Sequence, residues 1–114
     1  MSPKPLVWVG SSVDLLRAFP ETARRLAGYQ LRRVQSGLMP SDWKPMPSVG
    51  PGVAEIRVHT ASEHRVFYIA RFPEAVYVLH ACEKRTRRTR QADLELARAR
   101  LAELHQLRRQ QEGP

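Results

Sequence analysis

At 114 residues, 42% apolar and eight positive charges in excess, the chain has the size and apolar content of one globular domain spanning residues 1–114. The surplus is almost all arginine, which favours polyanionic partners, meaning nucleic acid or an acidic protein. The single Cys82 excludes an internal disulfide, and no leader-like or membrane-spanning apolar run is present, so the expected location is cytoplasmic with no membrane contact.

Leu6-Val7-Trp8-Val9, bounded by Pro5 and Gly10, suits a short strand. Ser11 and Ser12 offer an N-cap for a short helix that ends before Pro20. Pro20 then opens a second helix, since its missing N–H is an orphan there anyway. From Glu21 to about Ser36 the apolar positions Ala23, Leu26, Ala27, Leu31 and Val34 recur on one face, and Gly37 is the natural stop. Arg24, Arg25, Arg32 and Arg33 fall on the polar side and read as a solvated face. From Gly37 to Gly52 the prolines predict a loop with no regular element. Trp43 either pins that loop to the core or stacks on a base.

Residues Val53 to Lys84 organise the chain. They read as three consecutive antiparallel strands, broken at Ala61-Ser62-Glu63 and at Pro73-Glu74. In the first strand Ala54, Ile56 and Val58 share one face, expected under the helices, while Glu55, Arg57 and His59 share the other. Arg57 and Arg65 are therefore expected to point into a wet, basic groove, with Glu55 beside them. Five cations follow within Lys84-Arg85-Thr86-Arg87-Arg88-Thr89-Arg90. Thr89 is placed to cap a last helix from about Arg90 to Gln110, whose stripe of Leu94, Ala97, Leu101 and Leu104 packs on the sheet or on a partner. Gly113 and Pro114 are expected to fray. The order β-α-α-β-β-β-α predicts an α+β domain of two layers, an antiparallel sheet packed by helices.

His80 and Cys82 lie two apart on one strand, with His59 or His64 as possible neighbours, but the paired spacings of a structural zinc site are absent. No metal and no cofactor is expected. Arg57, Arg65 and Lys84 on one sheet, near Glu55, His64, Tyr68 and His80, point to different chemistry. Attack of an RNA 2′-hydroxyl on its adjacent phosphate needs a base, an acid for the leaving oxygen and cations for the developing charge. Arginine suits the last role because its planar fork holds two phosphate oxygens. Lys84 serves as acid or base only with a lowered pKa, which crowded cations promote. Surface ion pairs of the arginines with Glu55 explain the same residues equally well.

Three blocks resemble the RelE/ParE toxin superfamily, in particular its HigB-like, phage-derived branch. They are AGYQLRRVQSGLMPSDWKPMPSVGPGVAEIRV from Ala27 to Val58, His64-Arg65-Val66-Phe67-Tyr68, and VYVLHACEKRTRRT from Val76 to Thr89. The resemblance implies the toxin of a type II toxin–antitoxin pair, a metal-independent endoribonuclease that cuts mRNA in the ribosomal A site. By motif, Arg57, Arg65 and Lys84 are the implied catalytic positions; Glu55, Tyr68 and His80, as their neighbours on the sheet, and Arg85, Arg87 and Arg88 of the basic run are the expected RNA contacts. The implied partners are a helix-turn-helix, HigA-like antitoxin, the ribosome and mRNA. Departures from the pattern are Cys82 where an aromatic is usual, Arg85 for a second lysine, and Arg90 where proline or serine often opens the helix. Relatives of the ParE type inhibit DNA gyrase, and a basic RNA- or ribosome-binding module without catalysis is a third reading.

Overall fold

The computed structural model describes residues 2–85 and 87–112; Thr86 of the basic run, together with Gly113 and Pro114, lies outside the described residues. The elements are β1 (Leu6–Trp8), α1 (Ser12–Arg17), α2 (Glu21–Gln35), β2 (Trp43–Pro45), β3 (Val53–His59), β4 (Glu63–Ile69), β5 (Val76–Lys84) and α3 (Gln91–Glu112). This is the expected α+β class and order, with one strand more. The sheet runs β1-β5-β4-β3-β2. Only β1 pairs in parallel, Leu6 opposite Val76, and the other neighbours are antiparallel. Among the described residues no helix is long and apolar enough to cross a membrane.

The extra strand corrects the expectation that prolines exclude regular structure between Gly37 and Gly52. β2 is an edge strand, and an edge tolerates Pro45 because no further strand needs its missing N–H. Trp43 does not pin the loop; it stands 38% exposed, while Met46 and Val49 go into the core. At the end of α2, Gly37 adopts φ +83°. Its N–H donates to the Val34 carbonyl, and that of Leu38 donates to the Arg33 carbonyl. Both orphan carbonyls are thereby satisfied in a Schellman arrangement that only a residue free to turn left-handed completes cheaply. The serines behave differently from expectation. Ser11 occupies the N-cap position of α1 without a side-chain cap bond, and the Ser12 hydroxyl donates to the Val78 carbonyl.

Alternation splits the sheet into two buried faces. Ala54, Ile56, Val58, Val66, Tyr68, Val76, Val78 and Ala81 pack against Leu16 of α1 and Ala23, Ala27, Leu31 and Val34 of α2. Val53, Phe67, Ile69, Tyr77 and Leu79 pack against Ala97, Leu101 and Leu104 of α3. The stripe of α3 thus finds its partner in the sheet, on the face that alternation alone assigned to water. Each buried leucine there contributes about 1.5–3 kcal/mol relative to exposure, enough to outweigh the charges sharing that face.

The far end of α3 is tied to the β4–β5 turn. Arg108 donates to both Glu74 carboxylate oxygens, at 2.7 and 3.3 Å, and lies 3.7 Å from the centre of the Phe72 ring. Tyr77 donates its hydroxyl to the same carboxylate at 2.7 Å. Arg108 first, and then Tyr77, lower the Glu74 pKa from 4.5 to about 2. A carboxyl depressed in the fold stabilises it above the unfolded pKa, and that contribution is lost as pH falls through the folded value. Glu74→Gln is therefore expected to melt a few degrees below wild type at neutral pH. The gap should close between about pH 4.5 and 2 in thermal melts taken across that range. A gap that persists at the acid end would assign the effect to packing against Phe72 rather than to charge.

Candidate functional site

Strand register decides which side chains meet. Directly opposed residues share a face, so the pairings Lys44–Glu55–Phe67–His80 form one row across β2, β3, β4 and β5. The next row is Arg57–Arg65–Cys82, and the last is His59–Glu63–Lys84. A bulge in the β4–β5 ladder between Phe67 and Tyr68 sets the last members: Phe67 faces His80, whereas Tyr68 faces Val78. The extra residue, Leu79, shifts the alternation by one. Without that shift Lys84 would lie on the opposite face. The α3 stripe covers the apolar half of this face, and the ionisable half lies beyond the start of the helix. There Arg65, Cys82, Lys84, Arg88, Arg90 and Asp93 line a cleft.

Glu55 and Arg65 do not point into water. Glu55 is fully buried and Arg65 is 4% exposed, which corrects the expected wet groove around them. Glu55 Oε1 accepts from the Arg65 guanidinium and, at 3.3 Å, from Arg57 Nε. Glu55 Oε2 and Arg65 Nε have no partner among the described residues. Their neighbours in the sheet, with Lys44 and Phe67 on either side of Glu55 and Arg57 and Cys82 on either side of Arg65, leave both side chains out of water. Arg57 reaches the surface, with its side chain about one-third exposed.

Lys84 is half-buried at the end of β5. Its pKa is lowered by burial and then by the Arg65 charge, with Lys44 and Arg57 adding and Glu55 opposing. Four cations from four strands thus act within one field. Arg85, Arg87 and Arg88 are exposed just beyond, with Arg85 3.6 Å from the Glu83 carboxylate. At the rim, His59 pairs with Asp42 and with Glu63, and its pKa is raised chiefly by the hydrogen bond to Asp42.

Tyr68 and His80, both expected to touch RNA, are buried. Tyr68 lies on the opposite face, between Ala54 and Val78, and burial pushes its phenol up to about 12. His80 is 3% exposed, stacks on Phe67 at 6.0 Å between centroids, and places Nε2 2.8 Å from Asp93 Oδ1. His64 is also remote, buried on the α1 side with its ring 4.4 Å from Phe19.

Two residues at this site escaped the sequence reading. Lys44 alternates correctly for a strand, but the surrounding prolines hid the strand. Asp93 carried a usable signal. It stands four residues before Ala97 on the stripe that continues through Leu101 and Leu104, and a carboxylate on an apolar stripe requires a buried partner. That partner is His80. The sequence reading weighed His80 and Cys82 with His59 or His64. The structure instead brings His80 and Cys82 together with Asp93, their ligand atoms all within 4.8 Å of one another. Burial, and next the Asp93 charge, push the Cys82 thiol up to about 12.

The profile of the family described as phage-derived protein, Gp49-like (DUF891), matches residues 14–102. That span runs from α1 into α3 and includes every cleft residue named above. No curated protein matches the chain.

Proposed function

The chain belongs to the phage-derived Gp49-like family, a RelE-toxin-like group, and from that premise we propose that it is the toxin of a type II toxin–antitoxin pair. In this reading it is a HigB-like endoribonuclease that cuts ribosome-bound mRNA. Its partners are a helix-turn-helix, HigA-like antitoxin and the ribosome. One observation carries it: Lys44, Arg57 and Lys84 converge with Arg65 at the uncovered end of the sheet, beside a run of exposed arginines.

The cleft suits a phosphodiester. Arg57 presents its fork at the surface and holds the non-bridging oxygens as the 2′-hydroxyl attacks. Lys84, with its ammonium weakened by burial and by Arg65, gives a proton to the departing 5′-oxygen, while solvent water takes the proton of the attacking 2′-hydroxyl. Arg65 acts from the floor as a fixed positive charge and holds the Glu55 carboxylate that orients Arg57. None of these roles calls on a metal ion.

Induced expression followed by mapping of message 5′ ends tests this. Growth arrest with new ends in translated messages is the expected result. Intact messages with DNA-damage signalling would replace the reading with gyrase inhibition, and ribosome binding without new ends would leave a non-catalytic module.

The arginines after β5 are assigned to anchoring. Arg87→Ala with Arg88→Ala is expected to weaken ribosome binding and to flatten the slope of log K against log salt. Two lost phosphate contacts change that slope by about 1.5. Binding measured over a salt series checks it, and an unchanged slope would move these arginines to an antitoxin-docking role.

A further inference from the structure

His80 and Cys82 stand two apart on β5, and Asp93 meets them from the first turn of α3. Their ligand atoms, a ring nitrogen, a sulfur and a carboxylate oxygen, lie within 4.8 Å of one another. His80 and Asp93 are buried and Cys82 is half-buried. Asp93 Oδ1 faces His80, whereas its Oδ2 is held by Arg90 at 3.3 Å. The carboxylate is thus oriented with one oxygen committed to an outer partner and the other turned inward, the usual support of a metal-ligating group.

We propose that His80, Cys82 and Asp93 form a three-ligand site for a divalent cation of the zinc class, clipping β5 to the start of α3. The mixed nitrogen, sulfur and oxygen set selects a borderline-soft ion over magnesium or calcium, which take oxygen ligands. A tetrahedral zinc centre separates nitrogen and oxygen ligands by about 3.3 Å. The 2.8 Å His80–Asp93 contact therefore opens by about half an ångström, and the Cys82 sulfur closes in. Binding releases the thiol proton to solvent. Thiolate and carboxylate together then cancel the two charges of the ion, so Arg65 and Arg90 face a neutral centre. Because Cys82 and Asp93 also line the cleft, the fourth position opens toward it and takes water or a ligand oxygen. The site is independent of the nuclease reading, since it needs neither Arg57 nor Lys84.

Titration of the full chain with Co²⁺, displaced afterwards by Zn²⁺, tests the site without any activity measurement. The expected result is one equivalent bound, with a thiolate-to-cobalt charge-transfer band and the visible bands of a tetrahedral centre, and a Tm that rises with added Zn²⁺. Cys82→Ser should remove the charge-transfer band and weaken binding at least about tenfold, and Asp93→Asn should weaken it comparably. His59→Ala, at the separate rim cluster, should change nothing. Cys82 is half-buried, so its serine variant remains interpretable even where Asp93→Asn fails to fold. No binding, a charge-transfer band that survives Cys82→Ser, or binding lost in His59→Ala would each overturn the proposal.

Discussion

Arg65→Ala should lower stability by about 3–5 kcal/mol, because it strands the fully buried Glu55 carboxylate. At roughly 4 °C per kcal/mol for a domain of this size, the Tm falls by more than about 10 °C. Arg57 remains within reach of Glu55, but it is one-third exposed and contributes one long hydrogen bond, which does not offset the loss. Coulomb attraction inside the pair is large, yet so is the cost of having desolvated both ions. Removing both together is therefore expected to be much less harmful than removing one. The double change Glu55→Leu with Arg65→Met should recover most of the lost Tm, and thermal melts of the three variants decide the matter. If Arg65→Ala melts with wild type, Arg65 is not what holds the Glu55 carboxylate. Toxicity lost in Arg65→Ala therefore reports folding first and chemistry second.

Arg57→Ala and Lys84→Ala are the variants that separate the two. Each leaves Glu55 paired with Arg65 and removes a side chain that reaches water, so stability should move by only about half a kcal/mol. Loss of a cation that meets developing phosphate charge costs on the order of a hundredfold or more in rate. Message cleavage on purified ribosomes should accordingly fall by at least that factor while the melts stay near wild type. Full cleavage by both variants would remove Arg57 and Lys84 from the catalytic site. Cleavage lost only in Lys84→Ala would move the phosphate-holding role from Arg57 to Lys44, its neighbour across the same field.

Long periodic elements were legible in the sequence, and what failed did so for identifiable reasons. Both long helices and the three central strands follow from apolar spacing, and the end of α2 follows from Gly37. The expected groove differs from the structure because alternation reports that a strand has two faces but not how much of the second is buried. Glu55 and Arg65 are ionisable, and a sequence pattern takes such residues to be wet; the structure pairs them in the dry. Tyr68 alternates with Phe67 and so faces the α1–α2 side, a placement that strand parity carries and its chemistry does not. Lys44 was hidden by prolines that an edge strand accommodates. The Leu79 bulge has no signature in composition, yet it decides the face on which Lys84 stands.

β1 lies against β5 with Leu6 opposite Val76, and α3 closes the second face from residues 91–112. The chain emerges from the ribosome N-terminus first, so the first strand waits through most of synthesis for its partner. The cleft gains its last wall only when the final helix is free of the exit tunnel. Pairings this distant in sequence also form slowly once available. A chain whose synthesis has not yet reached α3 therefore carries no finished cleft.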